Sequence, residues 1–386
     1  MEIKNYTGKI TIDDSVDFCA YVVSSWHLIV LYAALLKLVK KLKKDIKGYV
    51  LISPFNNDMP EKYRIDVTML KENPRIKIDY YYNINNHLSK KEWSKALFNL
   101  CRINLKQAKS LYLLSSFDYN FTWCSQFNFC KKRQITLCRT DEGSGTYIPK
   151  RDFYYLCYPE DLPKIEKKVK ASMKAFFRIV TILYAYFSRL KFESFFLLEK
   201  RNGFFLTDEE NACFIRNFVF LNQNYGSKSF EKNQILILKD FDWNLLSLND
   251  SILFYQQIID FLTKKTKKNI YIKRHPCDKD SDFATIIMEK NRNVRIIDSE
   301  NGIENLYLEL LPCIVFGGDS TATYTIRILF SAKVINFTKL YNKYKVKNNV
   351  RLKNIIRRNK YFANNKDNIL IEELNDERLL EVIECL

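Results

Sequence analysis

A chain of 386 residues, 47% hydrophobic and 27% charged, has a globular composition and is long enough for two domains of ordinary size. Its net charge of +18 implies an anionic partner, with nucleic acid, an acidic membrane surface and a phosphorylated substrate as the classes that qualify. No apolar run reaches the roughly 20 residues of a spanning helix, the polar opening Met1-Glu-Ile-Lys-Asn-Tyr6 does not read as a secretory signal, and the ten cysteines lack zinc-ligand spacing, so a cytoplasmic protein with reduced thiols is expected.

In chain order, residues 1–15 read as a lead-in and Phe18 to Val23 as a strand. Ser24-Ser25-Trp26-His27 then opens an apolar helix to about Val39, with Ser24 or Ser25 as N-cap and Lys40-Lys41-Leu42-Lys43-Lys44 complementing the negative end of its dipole. Strands are expected at Tyr49 to Ser53, Ile76 to Tyr80, Ser110 to Leu114 and Gln134 to Cys138, with helices at Pro60 to Leu70 and 89–107. This alternation predicts a parallel, doubly wound sheet over residues 1–155.

From 156 to 232 the pattern changes to a helical connector. Pro163-Lys-Ile-Glu-Lys-Lys-Val-Lys170 is strongly basic and residues 176–187 are apolar and aromatic. The plain reading is a helix packed between domains. The alternative is contact with an acidic membrane surface. The same helix could pack against a second copy of the chain and give a homodimer. Residues 190–232 are irregular and aromatic, with no clear period. A second alternating unit runs from 233 to 386. Its strands are expected at 234–239, 269–273, 293–297, 313–316 and 333–337, its helices at 250–264, 281–290, 303–310 and 320–330, and a closing helix at 376–384. The fold class is therefore α/β, with two Rossmann-like domains facing a central cleft lined by strand ends, where ligands are expected.

Three strand ends carry the chemistry. Ile270-Tyr-Ile-Lys-Arg-His-Pro276 delivers His275 beside Lys273 and Arg274, with Pro276 biasing it away from helical geometry. Thr140-Asp-Glu-Gly-Ser-Gly145 places Asp141 and Glu142 before Gly143, where one carboxylate could act as a general base and an ordinary acidic turn is the bland alternative. Phe316-Gly-Gly-Asp-Ser-Thr-Ala322 puts Gly318, Ser320 and Thr321 at a helix start, suited to phosphate, although it is neither a Walker loop nor a dinucleotide fingerprint. Glu304, at the start of the preceding helix, could bind a ribose diol or simply complement the dipole. Ser25, Trp26 and His27 occupy the first strand-to-helix turn, with packing the default for Trp26, and His87 in its polar turn is given no role. No Asp-x-Asp metal motif stands at a convincing strand end; Asp240-Phe-Asp242 is discounted, and no metal site is expected. The chain also lacks a recognisable helix-turn-helix, zinc finger or RNP motif, which argues against nucleic acid as the partner.

An acidic pair with Gly, then His-Pro, then paired hydroxyl residues, in that order, resembles the bacterial GT-B sialyltransferases, closest to glycosyltransferase family 52, the lipooligosaccharide enzymes. Bacterial polysialyltransferases share the same landmarks. The resemblance spans most of residues 17–337 as an order of landmarks rather than continuous similarity. It implies inverting, metal-independent transfer of sialic acid from CMP-sialic acid to a hydroxyl of a cell-surface glycan, lipooligosaccharide or capsule, with no cofactor required. It implies Asp141 as base and His275 as the group that stabilises the departing CMP phosphate. Lys273, Glu304, Gly318, Ser320 and Thr321 would hold the CMP moiety, and Ser25, His27, Glu142 and Gly143 would lie on the acceptor or donor-sugar side. One departure concerns the base, because some family 52 members have it near the start of the second domain, where Asp240 and Asp242 stand here. The alternatives are a same-fold enzyme using CMP-Kdo or a UDP-hexose, and a basic nucleic-acid-binding module. The protein would work in the cytoplasm or on the inner face of the cytoplasmic membrane.

Overall fold

A computed structural model describes residues 3–5, 16–52, 73–82, 110–116, 134–147, 191–202, 205–221, 230–239, 245–275, 278, 281–297, 303–318, 320–347, 349–360 and 368–386, together with six residues of a helical segment between 165 and 176. The chain separates into two compact units, one of Met1–Thr146 with Pro163–Asn222 and the other of Tyr147–Leu162 with Gln223–Leu386. The expected helices at Pro60 to Leu70 and 89–107, and His87, lie outside the described residues.

The first unit holds a seven-stranded sheet of β1 Ile3–Asn5, β2 Phe18–Val22, β3 Ile46–Ile52, β4 Ile76–Tyr82, β5 Ser110–Ser115, β6 Gln134–Thr140 and β7 Lys191–Phe195. The spatial order is β1-β4-β3-β2-β5-β6-β7, and its pairings are parallel. Strands β2, β3 and β5 are apolar along nearly their whole length because both faces are covered. Helix α1, Ser25–Leu42, begins where the Ser24 hydroxyl accepts from the His27 amide at 3.2 Å and ends where Lys43 turns left-handed. Its buried stripe of Leu28, Leu31, Leu35 and Leu38 packs in the unit's core. The stretch from 190 to 232, which showed no clear period, supplies β7, an antiparallel hairpin of β8 Lys200–Asn202 and β9 Phe205–Thr207, and helix α2 Glu209–Leu221, which packs on α1.

The second unit is a six-stranded parallel sheet of β10 Ile235–Leu238, β11 Ile270–Lys273, β12 Val294–Ile297, β13 Ile314–Gly317, β14 Val334–Asn336 and β15 Asn368–Leu370. The order is β12-β11-β10-β13-β14-β15. Helices α3 Leu248–Lys265, α4 Ser281–Lys290, α5 Ile303–Leu310, α6 Thr321–Phe330, α7 Asn349–Lys360 and α8 Glu377–Glu384 connect and cover it. Side-chain alternation sorts the strands into two cores. Ile235, Ile237, Ile270, Ile272 and Phe316 pack with Phe254, Tyr255 and Phe283. Leu236, Leu238, Tyr271 and Val315 pack with Leu306, Leu310 and Ile326. In the second unit the order reverses once, between β10 and β13; in the first, β2 to β4 run one way and β5 to β7 the other, with the reversal between β2 and β5 and β1 added at the far edge. Open α/β sheets bind ligands outside the carboxyl ends of their strands at such a reversal.

Candidate active site

In the first unit the turn after β6 is built by Asp141. Its carboxylate is fully buried. One oxygen accepts from the Gly143 amide at 2.5 Å and the other from the Leu197 amide at 3.1 Å, tying the turn to the segment after β7. Gly143 has a φ of 97°, a left-handed conformation that a side chain would strain. The Glu142 amide donates to the Thr146 hydroxyl at 2.7 Å, so the backbone is fixed on both sides of the Glu142 side chain.

Glu142 is half-buried, and burial pushes its carboxyl up to about 7, with the Asp141 charge adding to the rise and the Arg139 guanidinium opposing it. Arg139, at the end of β6, is only 4% exposed and lies over the Phe196 ring at 5.7 Å. His27, in the first turn of α1, is buried and bonds to the Glu142 backbone carbonyl; burial holds its imidazole down at about 4, so it is neutral at pH 7. The structure therefore brings His27, Asp141, Glu142 and Gly143 together at the carboxyl ends of β2 and β6. The side chains of Ser25 and of Ser144 lie outside the described ones. Arg139 escaped the sequence reading because it sits inside the strand, two residues before Asp141.

In the second unit the carboxyl ends of β10 and β11, next to the reversal between β10 and β13, carry an ionic cluster. Lys239 follows β10 with its side chain 2% exposed, and its Nζ lies 2.8 Å from Asp278 Oδ2. Arg274 Nε donates to the same oxygen at 3.1 Å and its Nη2 to the Asp278 carbonyl at 3.0 Å. Lys273, also buried, closes β11. His275 follows at once, and burial lowers its imidazole to about 4; Asp278 opposes that shift while Lys273 and Lys239 add to it. Pro276, Asp240 and Asp242 lie outside the described residues.

Beyond β13, Gly318 is buried and accepts from the Asn336 amide group at 3.3 Å. Ser320 caps α6 by accepting from the Ala322 amide at 3.1 Å, and Thr321 is exposed at the first helical position. Glu304, in the first turn of α5, accepts from the Thr325 hydroxyl of α6 at 2.6 Å. Burial raises its carboxyl, while Thr325 and Lys273 pull the other way. Lys273, His275, Glu304, Gly318, Ser320 and Thr321 thus occupy one end of one sheet. Lys239 and Asp278 are the residues the sequence reading missed. Their only signal was a cation ending a fully apolar strand and an aspartate three residues after the histidine. Among the described residues no group of three or more His, Cys, Asp and Glu is placed to hold a metal ion.

The family model for alpha-2,8-polysialyltransferase (POLYST) matches residues 20–339. No curated protein matches the sequence. Among solved structures, the chain is similar to UDP-GlcNAc 2-epimerase from Methanocaldococcus jannaschii, at 12% identity and a TM-score of 0.52 over 96% of this chain and 92% of that one. It is similar to a putative UDP-N-acetylglucosamine 2-epimerase from Listeria monocytogenes, at 11% identity and 0.52 over 96% and 88%. It is also similar to S. aureus MnaA with UDP, at 14% and 0.51 over 95% and 90%. At these identities the likeness shows the fold alone, that of two parallel α/β domains of GT-B type.

Proposed function

The chain belongs to the alpha-2,8-polysialyltransferase family, and we propose that, as a sialyltransferase-type glycosyltransferase, it moves sialic acid from CMP-sialic acid to a glycan hydroxyl with inversion and without a metal ion. The observation that carries the donor assignment is the group of cations at the carboxyl ends of β10 and β11, beside the β10–β13 reversal, where Lys239 and Arg274 share the Asp278 carboxylate and the buried Lys273 closes β11 next to His275. A low-dielectric site with surplus positive charge favours a phosphate. Ser320, Thr321, Gly318 and the first amides of α6 supply further donors, and Glu304 is the ribose ligand. His275, neutral in the free protein, gives the leaving phosphate an N–H donor. The incoming negative charge raises its proton affinity as the bond to the sugar breaks.

On the acceptor side, the hydrogen bonds favour Glu142 over Asp141 as the base. Both Asp141 oxygens serve backbone amides, whereas the Glu142 carboxyl titrates near neutrality, where a general base is most effective. The acceptor is a cell-surface glycan, lipooligosaccharide or capsule. Peripheral association with an acidic membrane, from the cytoplasmic side, is supported by the helical segment in which Ile165, Val169, Met173 and Phe176 are exposed among Lys164, Lys167, Lys168, Lys170 and Lys174 of the sequence. Among the described residues no helix is long and apolar enough to cross a membrane.

The test is a hydrolysis and transfer screen of CMP-sialic acid, CMP-Kdo and UDP-hexoses, with and without a chelator. Turnover of CMP-sialic acid that survives the chelator is expected. Turnover of CMP-Kdo or a UDP-hexose alone would replace the donor assignment, and loss with the chelator would remove metal independence.

A further inference from the structure

We propose that Lys239, Asp278 and Arg274 form a positioning device for His275, with Lys239 anchoring the turn that presents the imidazole to the reversal point of the sheet. The inference rests on the role given to His275 above, and two of its residues, Lys239 and Asp278, lie outside the three landmark motifs.

The geometry is that of a clamp. The Asp278 amide donates to the His275 carbonyl at 2.9 Å, which ties Asp278 back to the histidine. Asp278 itself is gripped from two strands. Lys239 reaches from the end of β10 to Asp278 Oδ2 at 2.8 Å, and Arg274 reaches the same residue from the end of β11 through both carboxylate and carbonyl. The Lys239 ammonium also lies over the Phe283 ring of α4, at 4.7 Å from its centroid. Lys239 is therefore held by packing as well as by charge, and β10 and β11 are themselves locked by the Lys239 amide donating to the Lys273 carbonyl at 2.9 Å. A side chain 2% exposed has little freedom to move, so Asp278, and with it the His275 carbonyl it holds, is fixed to the sheet.

The same residues set the charge that the imidazole feels. Among the described residues, Asp278, Lys273 at the end of β11 and Lys239 after β10 act on it by charge, Arg274 is its chain neighbour, and Glu304 of α5 faces Lys273. Asp278 favours the imidazolium, and Lys239 and Lys273 oppose it. Removing Lys239 and removing Asp278 should therefore displace His275 in opposite senses, which a general loosening of the turn would not do.

The experiment follows the His275 ring by nitrogen-15 NMR as a function of pH. The chain has only three histidines, so His275→Ala assigns the signal. Lys239→Met should raise the His275 midpoint above that of the unaltered protein, and Asp278→Asn should lower it. Movement of both toward the ordinary value of about 6.5 would mean that the turn has opened and the residues are merely structural. An unmoved midpoint in both would mean that the cluster does not act on His275. Either result overturns the proposal. Melting curves identify a variant that fails to fold, and Lys239→Arg, which keeps charge and length, then replaces Lys239→Met with the expectation of near-native titration.

Kinetics give a second, independent reading. Lys239→Met should lower kcat on the order of 100-fold, the scale expected for an ångström of misplacement, with a smaller change in donor KM. In a His275→Ala background the same change should cost almost nothing further. A full additional loss there, with a raised donor KM, would make Lys239 a direct phosphate ligand and not a positioning residue. If the unaltered protein transfers no nucleotide sugar, the donor assignment fails, and the NMR titration still decides whether the clamp governs His275.

Discussion

Asp141 and Glu142 stand side by side yet meet different surroundings. Asp141 accepts from two backbone amides in a fully buried position. Asp141→Asn replaces one acceptor by an amino group facing an amide, so it should destabilise the protein on the order of 3 kcal/mol and lower its melting temperature. Glu142→Gln should fold normally and lose turnover on the order of 100-fold or more, the range of a general base. If instead Asp141→Asn folded well and alone abolished transfer, the two roles would be exchanged; Asp240→Asn and Asp242→Asn complete the comparison. The pH dependence follows from the raised carboxyl. Glu142 is mostly protonated below about 7 and ionised above it, so kcat/KM should rise with pH and reach half its plateau near 7. Arg139 lowers that value, so Arg139→Met should move the midpoint upward. A flat profile between pH 5 and 8 would eliminate Glu142 as the base.

At the scale of elements, the parallel strands were legible because double-sided burial makes them unbroken apolar runs, as in Ile235–Leu238 and Ile314–Phe316. The capped helices were equally plain, and Ser24 and Ser320 stand at the starts read for them. Edge and surface elements were not. Strand β15 has three residues, and α7 buries only Leu352, Ile355 and Asn359 among the side chains described, so a run rich in lysine and arginine concealed its helical period. Strand β7 mixes Lys191, Glu193 and Ser194 with two phenylalanines and gains its place only by pairing with β6. The ion cluster was illegible for a related reason, since Lys239 and Asp278 meet only after β10 and β11 pair. Tight packing makes one strand position unforgiving. A Cβ on Gly48 of β3 would lie 2.3 Å from the Phe18 carbonyl oxygen, so Gly48→Ala should cost on the order of 3 kcal/mol through overpacking, read from a denaturant midpoint. Helices α5 and α6 are likewise joined, through Glu304 and Thr325. Thr325→Val removes the 2.6 Å bond that orients Glu304, so CMP affinity measured by calorimetry should fall several-fold, and the preference for CMP over its 2′-deoxy form should shrink. An unchanged preference would separate Glu304 from the ribose.

Over the whole molecule, the charge of +18 is distributed unevenly in its pairing. Several surface cations have a carboxylate partner, as in the exposed Lys41 with Glu193 and Lys44 with Asp17, and the half-buried Lys339 with Glu372. Such surface pairs are screened and add little stability. From 343 to 360 the sequence holds eight lysines and arginines and no acid, and its members Lys343, Lys345, Lys347, Lys353 and Arg357 are exposed. A surplus of this kind attracts polyanions over about a Debye length, so it acts on encounter and weakens with salt. The helical segment with exposed Ile165, Val169 and Met173 would instead contribute through buried apolar area, which salt does not weaken. The two contributions can be separated by flotation with vesicles rich in phosphatidylserine. If association is electrostatic, binding should fall steeply between 50 and 300 mM salt, by roughly tenfold or more for several lipid contacts. Lys353→Glu with Arg357→Glu would then weaken it at low salt. If the apolar row dominates, Val169→Asp with Met173→Asp should abolish binding, while the charge reversals leave a salt-resistant fraction. Flotation that is insensitive to both pairs of changes would remove membrane association from the account. Duplex DNA that displaced CMP would then bring back nucleic acid as the partner that the charge serves.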